Sequence, residues 1–133
     1  MSRIKARETV MISLYQMEIH QEFKITEQLK NQLYEKIEDP REIKYALNIL
    51  NAVIDNKETI DQLIDEHSEN WKVSRISKID LSIIRLSLAE MIFTKSVPDS
   101  ISINEAIKLS KQYSDDDAFK FVNGILGKIN RSQ

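Results

Sequence analysis

Residues 71–93 read WKVSRISKIDLSIIRLSLAEMIF, and this stretch decides the fold. Its apolar residues fall on two overlapping helical rows, which are Ile76, Ile79, Ile83 and Leu86, and Ile84, Leu88 and Met91. Together the two rows cover most of the surface of one helix. A helix that is apolar on so many sides is buried among other helices. The stretch therefore predicts a central helix inside an all-α protein.

Composition supports a single helical domain. The chain has 133 residues, 41% of them hydrophobic and 30% charged, which is enough for one sizeable core. It contains only two glycines and two prolines, too few for the many turns of a β-sandwich or barrel. The absence of cysteine excludes disulfides and thiolate chemistry. No signal-peptide pattern and no apolar run of membrane-spanning length occur, so we expect a cytoplasmic protein without membrane contact.

Helical periodicity and capping signals predict about seven helices, in approximate subdomains of residues 1–70 and 71–133. Residues 3–22 read as an amphipathic first helix, and Thr26 caps a second. Asp39 and Pro40 are typical of the start of a third, and a fourth follows Asn56. Serine and glutamate at capping-box spacing, Ser102 and Glu105, predict the start of the sixth helix, and residues 114–117 the start of the last.

The last helix contains the turn-like dipeptide Asn123-Gly124 within FVNGIL, residues 121–126. The flanking apolar residues recur every three to four positions, so this segment is predicted to be helical and not a hairpin. A helical glycine costs about 1 kcal/mol relative to alanine. We expect close packing of Gly124 against another helix to compensate for that cost.

The sequence contains no recognisable catalytic or metal-binding pattern. His20 and His67 lie outside any paired-histidine motif, and residues 115–117 lack the glycine and distal glutamate of a calcium loop. Glycine-rich phosphate loops are absent, and no nucleophile, base and orienting residue can be assembled from spacing. We therefore expect no enzyme activity, no cofactor and no metal.

Three features remain as candidates for function or structure. Arg3, Lys5 and Arg7 can bind phosphates, although a solvated helix start is the alternative. Phe121, beside Lys120 and one turn from Asp117, can stack an unpaired base, although the apolar pattern alone favours a core residue. Arg85 needs a partner within its apolar helix, and Glu105 on another helix is the expected one.

Several motifs, in this order, resemble the NusB family of bacterial transcription antitermination factors. They are Arg7-Glu8 followed by Leu14-Tyr15-Gln16, Ile84-Arg85-Leu86 with Glu90, Pro98, Ile103-Asn104-Glu105-Ala106-Ile107, and FVNGIL at residues 121–126. The resemblance covers nearly the whole chain, and its last two motifs are the most specific. Residues 23–70 match only in helical character.

The resemblance implies an all-helical protein of two packed subdomains, without enzymatic activity or cofactor. It implies binding to boxA RNA together with the ribosomal protein NusE, and indirect association with other Nus factors and RNA polymerase. The implied RNA-binding residues are Arg3, Lys5, Arg7, Asp117 and Phe121, and we add Lys120 as the cation beside Phe121. The implied NusE-binding residue is Asp80. Ile4 and Ala6 interrupt the arginine run that many relatives have, so RNA affinity without NusE is expected to be weak.

Two alternatives differ from this interpretation. One is a helical protein-binding adaptor without RNA contact. The other is a fragment of an RNA cytosine methyltransferase, in which the same fold occurs fused to a cofactor-binding domain. Because the chain stops at Gln133, a complete methyltransferase is not expected.

Overall fold

The computed structural model describes residues 2–69 and 72–133. This part of the chain forms helices and no β-strand, as expected for an all-α protein. Seven α-helices occur in this part of the chain, as the sequence predicts. They are α1 Ser2–His20, α2 Glu27–Lys36, α3 Pro40–Asp55, α4 Lys57–His67, α5 Lys78–Leu88, α6 Asp99–Tyr113 and α7 Ala118–Ser132. A 3₁₀ turn, Val73–Arg75, precedes α5, and a π-helical segment, Ala89–Thr94, continues it. Trp71 lies outside the described residues.

Helix starts in the first half follow the capping signals of the sequence. The Thr26 hydroxyl accepts a hydrogen bond from the backbone N–H of Leu29 at 3.1 Å. The Asp39 carboxylate accepts one from the N–H of Arg41 at 2.9 Å, and Pro40 occupies the first turn. Each cap satisfies a donor that the helix itself leaves unpaired.

Two predicted helix starts in the second half are wrong. Helix α6 begins at Asp99, directly after Pro98, so Ser102 lies inside the helix and not at its cap. The Ser102 hydroxyl is buried and donates to Glu90 at 2.8 Å. Helix α7 begins at Ala118 and not near Ser114, because residues 115–118 form a separate turn closed by a 3.0 Å backbone bond. Tertiary hydrogen bonding, which spacing cannot reveal, gives these residues their roles.

Helix α5 is the central helix that the opening stretch predicts. It contacts α1, α3, α4, α6 and α7, and the side chains from Leu81 to Leu88 are all buried. The core cluster around it includes residues from α1, α3, α6 and α7, and thus from both halves of the chain. The division into subdomains 1–70 and 71–133 therefore stays a prediction.

The packing expected at Gly124 is not observed. The residue is exposed, and a Cβ atom built on it would meet no heavy atom within 4 Å. Its φ is not positive, so the backbone does not require glycine either. The free energy that a glycine costs within a helix is therefore not offset by packing of Gly124 against any described residue.

None of the helices described in residues 2–69 and 72–133 is both long and apolar enough to cross a membrane.

Candidate nucleic-acid interface

The N-terminal cations lie in two different environments. Lys5 keeps half of its side chain exposed and lies 3.4 Å from a Glu8 carboxylate oxygen. Arg3 stacks its guanidinium over the Tyr45 ring at 3.9 Å and pairs with Glu42, with 37% of its side chain exposed. Exposed pairs of this kind are weak, so phosphates can compete for both cations. Arg3 and Lys5 therefore remain candidates for RNA contact.

Arg7 is buried, which corrects its expected role in binding phosphates. It is only 3% exposed, and its Nη2 lies 2.8 Å from Glu90 Oε2. Its Nη1 lies 3.6 Å from Glu105 Oε1. The position places Arg7 on the inner face of α1, where the guanidinium joins α1 to the π-helical segment and to α6. We therefore leave Arg7 out of the candidate interface.

Glu90 is the centre of a buried polar network that the sequence does not reveal. Besides Arg7, it accepts hydrogen bonds from the Tyr45 hydroxyl at 2.6 Å and the Ser102 hydroxyl at 2.8 Å. Burial and the charge of Glu90 raise the pKa of Tyr45 well above its ordinary value, so the phenol stays protonated. The network connects α1, α3, the π-helical segment and α6. It fixes the start of α1, and with it the backbone that carries Arg3 and Lys5.

Arg85 has different partners from the one expected. Its guanidinium lies 2.6 Å from Glu18 and 2.8 Å from Asp61, whereas Glu105 pairs with Arg7. Burial alone would raise the pKa of Glu18, but the hydrogen bond and charge of Arg85 lower it overall. The role of Arg85 is structural, as its apolar neighbourhood predicts, but it joins α5 to α1 and α4 instead of α6.

The C-terminal candidates lie together at the start of α7. Asp117 and Lys120 are exposed, and their charged atoms are 3.5 Å apart. Asp117 makes no side-chain cap to the helix, so its carboxylate faces solvent. Phe121 is partly buried against the core. One edge of the helix thus presents an aromatic ring, a cation and an anion.

A cavity of about 320 Å³ lies between the start of α5 and the start of α7, and we call it the α5–α7 cavity. Its lining residues are Arg75, Ile76, Ser77, Asp80, Asp115 and Phe121. Phe121 and Asp80, which the resemblance assigns to RNA and to NusE respectively, therefore line the same space. The sequence gives no sign of this, because the two residues belong to different helices 41 positions apart in the numbering.

The two candidate clusters are connected through the end of α6. One Glu8 oxygen lies near Lys5, and the other accepts from Gln112 at 3.3 Å. A hydrogen bond from Tyr113 holds the pKa of Glu8 below its ordinary value, and burial with this bond raises the pKa of Tyr113 to about 12. The chain then runs from Tyr113 through residues 114–117 into α7. Glu8 thus links the start of α1 to the end of α6, which the loop of residues 114–117 joins to α7.

A cation–aromatic pair between α6 and α7 is not predicted by the sequence. Lys111 Nζ lies 4.7 Å from the centroid of the Phe119 ring, between α6 and α7. In the sequence this pair appears only as one lysine and one phenylalanine, and such residues are too common to predict a contact. Within residues 2–69 and 72–133, no group of three or more histidine, aspartate or glutamate side chains is arranged to hold a metal ion.

Comparison with known proteins also indicates the NusB family. The NusB family model matches residues 4–131. The transcription antitermination protein NusB of Alkaliphilus oremlandii is 44% identical over 128 residues, covering 96% of this chain and 92% of that protein. NusB of T. maritima superimposes with a TM-score of 0.86 at 31% identity, covering 100% and 93% of the two chains. A chain from a crystal structure of the antitermination factors NusB and NusE with dsRNA has a TM-score of 0.89 at 30% identity, covering 99% and 98%.

Proposed function

The chain belongs to the NusB family, and we propose from this premise that it is a transcription antitermination factor that binds boxA RNA together with NusE. In this role it supports processive transcription of ribosomal RNA operons, and it associates indirectly with other Nus factors and RNA polymerase. The proposal includes action in the cytoplasm and no catalytic activity of its own. The structure of related factors NusB and NusE with dsRNA supports both ligands.

The observation that carries the RNA part is the exposure of two clusters, Arg3 and Lys5 on α1 and Asp117, Lys120 and Phe121 at the start of α7. Together they combine exposed cations for phosphates with a partly exposed aromatic ring for a base, which is how proteins bind unpaired RNA. The residues we assign to RNA are Arg3, Lys5, Asp117, Lys120 and Phe121. The resemblance assigns Asp80 to NusE.

RNA titration with and without NusE tests the proposal. Fluorescence anisotropy of labelled boxA RNA should show weak binding by the protein alone and tighter binding once NusE is added. A scrambled RNA of the same composition is the control for sequence preference. Binding of NusE without any RNA affinity would favour the protein-binding adaptor instead. The relative from A. oremlandii is named a transcription antitermination protein, which lends the methyltransferase-fragment alternative no support.

A further inference from the structure

The guanidinium of Arg3 is held by two side chains of α3 that lie one turn apart. Its Nε donates to one carboxylate oxygen of Glu42, and its Nη2 lies 3.3 Å from the other. Its Cζ lies 3.9 Å from the centroid of the Tyr45 ring. The carboxylate thus occupies one edge of the planar group, and the ring covers one face. Arginine binds the phosphate groups of nucleic acids with the same two-point geometry.

Both partners of Arg3 are fixed by the fold. The Tyr45 side chain is buried, and its hydroxyl donates to Glu90 at 2.6 Å, which holds the ring beneath Arg3. Glu42 keeps only 13% of its side chain exposed. It lies in the first turn of α3, where the helix dipole favours a negative charge. The carboxylate that meets Arg3 is therefore in place before any RNA is bound.

Lys5, the other exposed cation at the start of α1, is paired less tightly. Its Nζ lies 3.4 Å from a Glu8 carboxylate oxygen, and half of its side chain is exposed. Glu8 also accepts a hydrogen bond from Gln112 at 3.3 Å, so its charge is shared among several donors. Within residues 2–69 and 72–133, Glu42 forms an ion pair with Arg3 alone. Arg3 is therefore the more completely neutralised of the two cations.

This pairing matters for RNA because a cation gains affinity for RNA through its unneutralised charge. Each cation that neutralises a phosphate of a single strand contributes about 0.7 to the slope of log affinity against log salt. A cation that already meets a carboxylate must exchange one anion for another, and the displaced carboxylate then repels the nearby phosphate. At the start of α1, the positive charges of Arg3 and Lys5 face the negative charges of Glu42 and Glu8. The exposed cations there carry no surplus of positive charge over these two carboxylates.

We propose that Glu42 is an affinity-determining residue of the RNA site, which masks Arg3 until a phosphate of the RNA displaces the carboxylate. The phosphate takes the Nε and Nη2 edge that Glu42 occupies, while Tyr45 keeps the plane of the guanidinium in place. The proposal rests on the proposed function and names an internal contact that limits RNA affinity. Because the exchange consumes part of the binding free energy, the protein alone is expected to bind RNA weakly.

The alternative role for Glu42 is to position Arg3, so that a phosphate binds at Nη1 and leaves the carboxylate where it is. Two anions would then share one guanidinium and repel each other in a partly buried place, where salt screens charges less than in open solvent. Stacking on Tyr45 already orients the guanidinium without help from a carboxylate. The geometry therefore favours masking over positioning.

Fluorescence anisotropy of labelled boxA RNA, with NusE present and over a range of salt concentrations, tests this contact. Glu42→Gln keeps the shape of the side chain and removes its charge. It should bind the RNA about 3- to 10-fold more tightly at about 0.1 M salt, and its salt slope should increase by up to about 0.7. Arg3→Gln alone should reduce the slope by less than Lys5→Gln does. In the double variant Arg3→Gln with Glu42→Gln the gain should disappear, because Glu42 acts through Arg3.

Matched controls separate this contact from general effects of charge and folding. Glu58→Gln removes the same charge from the exposed side of α4 and should change RNA affinity by less than about twofold, since salt screens distant charges. Circular dichroism and thermal melting show whether each variant is folded. Glu42→Asp keeps the negative charge at the start of α3 but withdraws the carboxylate from Arg3 by one methylene. It should therefore also bind RNA more tightly than wild type.

The outcomes separate the contact from the proposed function. Wild-type protein that binds no boxA RNA with NusE present overturns the proposed function itself. A folded Glu42→Gln that binds RNA no more tightly than wild type overturns the masking role alone, and weaker binding assigns Glu42 to the positioning of Arg3. A gain that persists when Arg3 is also replaced shows a general charge effect and overturns the masking role as well. If Glu42→Gln does not fold, Glu42→Asp is judged by the same criteria.

Discussion

Arg7 and Glu90, 83 positions apart in the chain, form a buried ion pair with 2.8 Å between Nη2 and Oε2. Arg7, which the sequence predicts to bind RNA, is therefore part of the buried structure that holds the helices together. Tyr45 and Ser102 also donate hydrogen bonds to Glu90. If Arg7 is removed, these two bonds alone must stabilise the buried carboxylate, and they compensate its charge only in part.

Arg7→Gln should therefore destabilise the fold by about 3–5 kcal/mol, as loss of one partner from a buried pair does. Urea denaturation measures this, and the surface variant Lys5→Gln should change stability by less than about 0.5 kcal/mol. Under conditions where Arg7→Gln remains folded, the salt dependence of its RNA binding should equal that of wild type. A stable Arg7→Gln with a reduced salt slope would return Arg7 to the RNA surface.

Neutralisation of the two exposed N-terminal cations should weaken RNA binding through electrostatics. Arg3→Gln with Lys5→Gln removes up to two phosphate contacts, so the slope of log affinity against log salt should shrink by up to about 1.4 for single-stranded RNA. Anisotropy titrations over a range of salt concentrations measure the slope. The double variant Arg41→Gln with Lys44→Gln, on α3, controls for net charge. An unchanged slope in the first variant would show that the phosphates bind elsewhere.

Phe121→Ala should separate RNA binding from stability. Loss of base stacking should cost about 1–3 kcal/mol of RNA affinity. Because the side chain is only partly buried, the loss of folding free energy should stay below the roughly 3–5 kcal/mol of a fully buried phenylalanine. Denaturation and RNA titration of one preparation decide this. An unfolded variant, or normal RNA affinity with NusE present, would assign Phe121 to the core.

Gly124→Ala should stabilise the protein by about 0.5–1 kcal/mol, since the added Cβ meets nothing and alanine favours the helix. Gly127→Ala is the comparison, because its Cβ would lie 3.2 Å from the flexible end of Arg131. Thermal or urea unfolding measures both. A destabilised Gly124→Ala would mean that the exposed position is crowded in solution.

Acid should weaken the fold through Glu18. Arg85 lowers the pKa of this carboxyl below its ordinary value of 4.5, so its contribution is present above pH 4.5 and is lost as the pH falls through the lower folded pKa. Glu18→Gln should therefore be destabilised at pH 7 and approach wild type at low pH. Urea denaturation along a pH series tests this, with Glu58→Gln on the exposed side of α4 as control. A pH-independent difference would contradict the ion-pair explanation.

Local pattern in the sequence determined the helices and the central position of α5. Periodic apolar residues must be buried, and capping residues satisfy donors within their own turn, so both signals act over a few positions. The starts marked by Thr26 and Asp39 follow directly from them. The motifs carried by residues 103–107 and 121–126 were likewise enough to indicate the family.

Only the tertiary structure decided which charged and small residues face solvent. Arg3 and Arg7 look alike in sequence and lie one turn apart on the same face of α1, but Arg3 stays partly exposed near the helix start, and only Arg7 meets a buried glutamate from 83 positions away. Gly124 looks like a packing position and is exposed, while Asp80 and Phe121 meet in one cavity. Partners that come from distant helices leave no periodic trace in the chain, because their distance is set by how the helices pack and not by the spacing of residues along them.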